Sequence, residues 1–322
     1  MTTLEKIKQL ETDMHKYIIG QDLIVERLII GLLSNGNVLV EGLPGLGKTM
    51  SIRTLAALIN ADFSRIQFTP DMLPSDLTGS EMMYNDKGDY KFRFEEGPIF
   101  GNIVLGDEIN RAPAKVQSAM LEAMEERQVT VANQTHKLPK LFMVMATQNP
   151  IEQEGTYPLP VAQLDRFLMK LEIEYPDKDS EKKIVAIAKD EDRAQNDKSV
   201  TKLSEDVIFD ARDEIEKVEV SDAMMDYMVD LVFATRYPEK LDKDLASWIV
   251  EGASPRATIG LNQCCKTYAW LQGRSAVTPE DLRAILHDVL RHRITTTYQA
   301  QTQGVDSDKI IDKILDVVAV TA

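Results

Sequence analysis

Residues 37–50 read NVLVEGLPGLGKTM. The first four suit a short buried strand, and they run into three glycines, a proline and a lysine, a composition that favours neither helix nor strand. Gly42-Leu43-Pro44-Gly45-Leu46-Gly47-Lys48-Thr49 fits the pattern G-x-x-x-x-G-K-[ST] without a mismatch, between that strand and a helical stretch at 49–59. Glycines in such a loop let successive backbone N–H groups turn toward one anion with no side chain between, and the N-terminus of the following helix adds its partial positive charge. The stretch therefore predicts a phosphate cradle for a nucleotide. Lys48 would neutralise the outer phosphates, the Thr49 hydroxyl would ligate Mg²⁺, and Met50 follows directly in the same contact set.

Working outward, further apolar strands are SRIQF (64–68), NIVLG (102–106), LFMVMAT (141–147) and FLMKLEI (167–173), with a helical stretch at 112–127. Strands alternating with helices argue for an α/β fold with a covered parallel sheet. A cradle alone hydrolyses nothing; it needs an acidic pair at the end of a neighbouring strand. NIVLGDEIN supplies one, with Asp107 placed for the Mg²⁺ shell and Glu108 for orienting and deprotonating the attacking water. Gly106, directly before Asp107, is expected to loosen that strand end slightly.

N-terminal to the cradle, MTTLEKIKQLETDMHKY reads as an amphipathic helix, and Asp22 is expected to cap a second helix that stops near Asn35-Gly36. Two segments break the α/β rhythm by alternating polar with apolar residues about a turn: MMYNDKGDYKFRFEEG around 85–88 and RQVTVANQTHKLPK around 132–134. Each reads as a projecting hairpin. From about residue 180 strands nearly vanish and helical patterns take over, which predicts a separate all-helical domain.

The chain has 322 residues, 43% of them hydrophobic, enough for two domains with real cores. Its 52 acidic against 37 basic residues, net −15, disfavour an extended phosphate backbone as the main partner. Cys264 and Cys265 are sequence neighbours and make a poor structural disulfide, and no apolar run reaches membrane-spanning length, so a cytoplasmic protein is expected. His15, His136, His287 and His292 show no metal-ligand spacing with the cysteines, and Met82, Met83, Met143 and Met145 read as core fillers.

DEINRAPAKVQSAMLEAMEERQVT, with ATQNPIEQEGTYPLP and LDRF after it, resembles the MoxR family of AAA+ ATPases, over a match from about Ile18 through the C-terminal helices. The resemblance implies a P-loop core over 1–176, with inserts near 79–97 and 128–139, and a helical lid over 177–322. It also implies roles. Asn149 corresponds to the first sensor, between γ-phosphate and water; Arg166 corresponds to an arginine finger acting on a neighbouring subunit; Arg256, opening a helix after Ser254 and Pro255, corresponds to the second sensor. Arg111 is another candidate for a group acting in trans, and Ile18, Ile19 and Gly20 stand where this fold holds adenine.

A site completed by a neighbour's arginine implies a head-to-tail interface that closes into a ring, a hexamer by family resemblance. The family further implies a chaperone-like role on client proteins, often beside a partner carrying a von Willebrand factor A domain. Two other functions fit the same core: a nucleic-acid motor of clamp-loader or helicase kind, against which the acidic balance counts, and a non-catalytic nucleotide-dependent scaffold, against which Lys48, Asp107, Glu108, Asn149 and Arg166 count.

Overall fold

Five short apolar segments form one parallel sheet in the computed structural model, which describes residues 1–43, 45–86, 89–149, 155–187 and 202–319. Along the chain the strands are β1 (Val38–Gly42), β2 (Phe63–Gln67), a hairpin of β3 (Gly79–Asp86) and β4 (Asp89–Glu96), β5 (Ile103–Asp107), a second hairpin of β6 (Gln128–Val131) and β7 (Gln134–Lys137), β8 (Met143–Gln148) and β9 (Met169–Ile173). The sheet order is β2-β5-β8-β1-β9, with every pairing parallel. In-register pairing of Val38 with Met145 and Met169, and of Gly106 with Ile66 and Ala146, brings the C-terminal ends of β1, β5 and β8 to one edge. Ligands of open parallel sheets bind at that edge.

Strand alternation divides the core into two. Val38, Val40, Ile103, Leu105, Met143 and Met145 face a cluster shared with the N-terminal and C-terminal helices, whereas Leu39, Ile66, Val104, Val144 and Ala146 face one built on Val116, Met120 and Leu121. Burial on both faces explains why the strands read as unbroken apolar runs. Gly106 does not loosen β5, since it stays paired on both sides. A Cβ there would lie 3.1 Å from the Phe68 ring, so the glycine makes room for packing.

The helices up to residue 187 are α1 (Thr3–His15), α2 (Asp22–Leu33), α3 (Lys48–Leu58), α4 (Pro74–Thr78), α5 (Ala114–Glu126), α6 (Val161–Leu164) and α7 (Lys178–Ile187). Thr2 and Glu5 close a capping box on α1. Asp22 does not cap α2: Gln21 holds the cap position without a side-chain bond, and Asp22 lies inside the first turn, 3.2 Å from His15 Nδ1. The helix stops where expected, because Asn35 turns left-handed (φ 53°) and Gly36 N–H bonds the Gly31 carbonyl at 2.9 Å.

Both hairpins form. In the second, Ala132 and Asn133 take φ of 48° and 65°, a two-residue turn whose twist matches the strands, and Gln134 is already in β7. In the first, Asp86 pairs with Asp89; Lys87 and Gly88, assigned to its turn, lie outside the described residues. Phe94 stacks on His136 with centroids 3.8 Å apart and so joins the two ribbons. Met82 and Met83 are not core fillers. They sit on a two-stranded ribbon and are 54% and 59% exposed, while Met143 and Met145 are buried in the sheet.

The C-terminal part comprises α8 (Glu205–Glu216), α9 (Asp222–Arg236), α10 (Lys243–Trp248), α11 (Pro255–Leu271), α12 (Pro279–Leu290), α13 (Tyr298–Thr302) and α14 (Ser307–Val317). It is not entirely helical, for Ile249–Glu251 pairs antiparallel with Thr295–Thr296. Cys264 and Cys265 are buried free thiols on α11, and burial pushes Cys264 up to about 12. Among the described residues no helix is long and apolar enough to cross a membrane.

Buried ion pairs fasten these helices to the core. Arg27 Nε lies 2.6 Å from Asp288 Oδ2, and Arg291, which holds Asp288 Oδ1 at 3.0 Å, donates to the Lys170 carbonyl on β9 at 3.0 Å. Arg293, 3% exposed, holds Asp165 at 2.8 Å and donates to the carbonyls of Phe167 and Leu168. Removing one member of a buried pair leaves its partner's charge uncompensated. Asp288→Ala is therefore expected to destabilise the chain by about 3 kcal/mol or more, measured by urea unfolding; an unchanged midpoint would show that water already solvates Arg27.

Candidate nucleotide site

β1 ends directly in the glycine loop. Gly45 and Gly47 have φ of 83° and 75°, the left-handed region, and a Cβ built on either meets nothing within 4 Å. The loop is thus a hollow kept open by missing side chains. Gly47 is also the cap residue of α3 and offers no side-chain acceptor to its first turn, the arrangement that accepts an anion. Lys48 Nζ donates to the Gly42 carbonyl at 2.6 Å. Burial pushes the Lys48 ammonium below its ordinary value, against the pull of Asp107, Glu108 and Glu41.

Asp107 and Glu108 stand across the cleft. Asp107 Oδ1 accepts from the Thr147 hydroxyl at 2.6 Å and Oδ2 from Arg65 Nη2 at 2.7 Å. Glu108 takes φ 58° and ψ 51°, a left-handed backbone that costs a non-glycine residue about 1–2 kcal/mol. Its N–H donates to Thr147 Oγ1 at 2.9 Å, and its Oε2 accepts from Gln67 Nε2 at 2.9 Å and Arg111 Nη1 at 3.1 Å. Strain held in place by surrounding bonds is characteristic of functional positions, and here it aims the carboxylate into the cleft.

The cleft encloses about 440 Å³, within the range of small-molecule sites. Gly45, Leu46, Gly47, Lys48, Thr49 and Met50 line it, opposite Asp107, Glu108 and Asn149, the last buried at the end of β8. Tyr17, Ile18, Ile19, Pro176 and Ile184 form an apolar end. Gly20 does not line this space; it packs on Ser180 and Pro176 behind the turn. Gly42 and Leu43 face an adjoining hollow beside β9, and Pro44 lies outside the described residues.

Arg166 and Arg256 lie away from this cleft. Arg166 Nε is 3.1 Å from Glu125 Oε2, and Arg256 pairs with Glu125 Oε1. Ser254 caps α11 by accepting from Arg256 N–H at 3.1 Å, with Pro255 in the first turn, so Arg256 opens the helix as its sequence context requires. Arg111 stays with Glu108.

Sequence reading did not single out Thr147, Arg65, Gln67 or Glu125. Thr147 is a hydroxyl in an otherwise apolar central strand, and Arg65 and Gln67 share one face of β2; those are the signals available. Among the described residues no group of three or more His, Cys, Asp and Glu is arranged to hold a metal, so a cation in this cleft would need further oxygens, such as the Thr49 hydroxyl and those of a bound phosphate, beside a carboxylate such as Asp107.

A family model described as "ATPase family associated with various cellular activities (AAA)" matches residues 37–169, and one described as "AAA lid domain" matches 249–314. "Chaperone MoxR1" of Mycobacterium tuberculosis is 43% identical over 314 residues, 95% of this chain and 80% of that protein. The chain belongs to the MoxR family of AAA+ ATPases. "Protein MoxR" of Methylorubrum extorquens is 31% identical over 298 residues, 88% of this chain and 86% of its own. A crystal structure of a Cytophaga hutchinsonii protein superposes with a TM-score of 0.91 at 44% identity, covering 99% of this chain and 96% of the other. The sheet with its helical C-terminal lid is therefore the AAA+ P-loop fold, and the MoxR core is a nucleotide-binding one.

Proposed function

We propose that this MoxR protein is an Mg²⁺-dependent ATPase that closes into a ring, a hexamer, and uses hydrolysis to remodel or activate client protein complexes. The observation carrying this reading is the shared cleft: a side-chain-free anion hollow and Lys48 on one wall, Asp107 and a strained, bonded Glu108 on the other. Triphosphate binds to the loop amides and Lys48, while Ile18, Ile19 and the apolar end receive adenine. Mg²⁺, held by Thr49 and Asp107, screens the phosphate charge when bound. Glu108 takes the proton of the attacking water, Asn149 orients that water, and Gln67 and Arg111 keep the Glu108 carboxylate in place.

Arg166 and Arg256 complete the site from outside. Both sit on Glu125, away from their own cleft, which supports delivery to a neighbouring copy and hence a head-to-tail ring. We divide the chain at 176/177 into core and lid, with the two hairpins, joined by Phe94 and His136, as the parts that press on a client. The chaperone designation of the Mycobacterium tuberculosis relative supports a protein client; a von Willebrand factor A domain partner and a cytoplasmic location complete the proposal.

Lys48→Ala tests the site. It is expected to weaken ATP binding by about 100-fold or more, the loss of a charge-assisted contact in a partly desolvated cleft, with the fold intact. Calorimetry of ATP with Mg²⁺ reads the change. Equal affinity in both chains would remove the cradle from the account.

A further inference from the structure

The Arg166–Glu125–Arg256 cluster joins three separate segments. Glu125 lies one residue before the end of α5, Arg166 in the turn between α6 and β9, and Arg256 in the first turn of α11. Among the described residues Glu125 is the sole acid within ion-pair range of either arginine. A second tie sits beneath it. Asp165, adjacent to Arg166, accepts from the Ser254 hydroxyl at 2.7 Å, and Ser254 caps the helix that Arg256 opens. Asp165 in turn is held by buried Arg293 at 2.8 Å. The backbones carrying the two arginines are therefore fixed against each other from below, and one carboxylate gathers their side chains from above.

Two guanidinium groups brought this close repel unless an anion lies between them. Glu125 supplies that anion while one positive charge of the three-residue group stays uncompensated. All three side chains are partly exposed, at 32%, 39% and 42% for Arg166, Glu125 and Arg256. A structural ion triad of the interior would be shielded from water, as Arg27–Asp288 is. This one faces solvent, with net positive charge and the fork geometry that suits phosphate oxygens.

We propose that Glu125 is a positioning residue that pre-assembles Arg166 and Arg256 as a pair for the triphosphate of a neighbouring copy. The inference rests on the trans action proposed above. Fixing the pair in advance removes the rotamer entropy of two long side chains from the step in which they engage. Without the carboxylate the guanidinium groups separate, and only one at a time reaches the phosphate.

Glu125→Gln tests this. Its kcat is expected to fall at least tenfold, whereas ATP affinity stays within twofold of the parent, because no group lining the cleft changes. Glu125→Asp, which keeps the charge, is expected to retain more activity than Glu125→Gln. Subunits carrying Glu125→Gln mixed with Glu108→Gln subunits are expected to regain turnover, since some interfaces then pair an intact Glu108 with an intact arginine cluster. The double variant Glu125→Gln/Arg166→Ala is expected to be no slower than Arg166→Ala alone. Full activity in Glu125→Gln, or a loss that mixing leaves unrestored, overturns the proposal. Parent protein that hydrolyses no ATP, or an Arg166→Ala variant as fast as the parent, would overturn the proposed function instead, so the two failures are distinguishable.

Discussion

Chains carrying Arg166→Ala are expected to bind ATP with unchanged affinity and to hydrolyse it about 10³-fold or more slowly, the effect of withdrawing an arginine finger. The affinity expectation follows from geometry: Arg166 lies outside the cleft and rests on Glu125, so its removal touches no loop amide, nor Lys48 or the apolar end. The rate expectation follows from charge. Negative charge on the equatorial oxygens of the transferring phosphoryl group needs donors beyond Lys48, and Arg166 does not line its own subunit's cleft. Mixing decides the matter. Arg166→Ala subunits contribute an intact Glu108 and Glu108→Gln subunits an intact Arg166, so one class of mixed interface is complete and phosphate release should return. Sedimentation of the mixture shows whether subunits co-assemble; assembly without rescue would place Arg166 in its own subunit's chemistry.

Glu108→Gln is expected to leave nucleotide bound and turnover lowered by about 10²–10⁴-fold, the contribution of a general base. The substitution is close to isosteric, and the amide oxygen still accepts from Gln67 or Arg111. The left-handed backbone and the bond from Glu108 N–H to Thr147 do not depend on the side chain. Only the capacity to accept a proton from water is lost. Phosphate release under single-turnover conditions, with bound nucleotide measured after gel filtration, separates the two effects, and a variant that turns over at the parental rate would strip Glu108 of its role.

The sheet was legible because each central strand is buried on both faces and so announces itself as an apolar run, and because only a strand–loop–helix accommodates residues 42–49. The hairpins were legible through their turns. What escaped depends on neighbours distant in sequence: Arg65 and Gln67 meet Asp107 and Glu108 from 42 and 41 positions away only because β2 lies beside β5. Glu125 stands in the run Glu122-Ala123-Met124-Glu125-Glu126, where composition does not tell which acid faces Arg166 and Arg256. Met82 and Met83 were misread for the opposite reason, since an apolar pair exposed on a ribbon looks the same in sequence as one in a core. Asp22 was placed one position too early because Gln21 caps without a side-chain bond.

The charged seam beneath α12 bears on where the molecule bends. Arg27 grips Asp288 from α2, Arg291 reaches the Lys170 carbonyl on β9, and Arg293 fastens the chain just before β9. Leaving one buried charge of such an ion pair without its partner costs about 3–5 kcal/mol. Torque applied to the C-terminal helices therefore reaches β9 and, through Asp165, the turn bearing Arg166 with little slack. In the proposed ring each copy would then act as a stiff lever, with the compliant joints between levers.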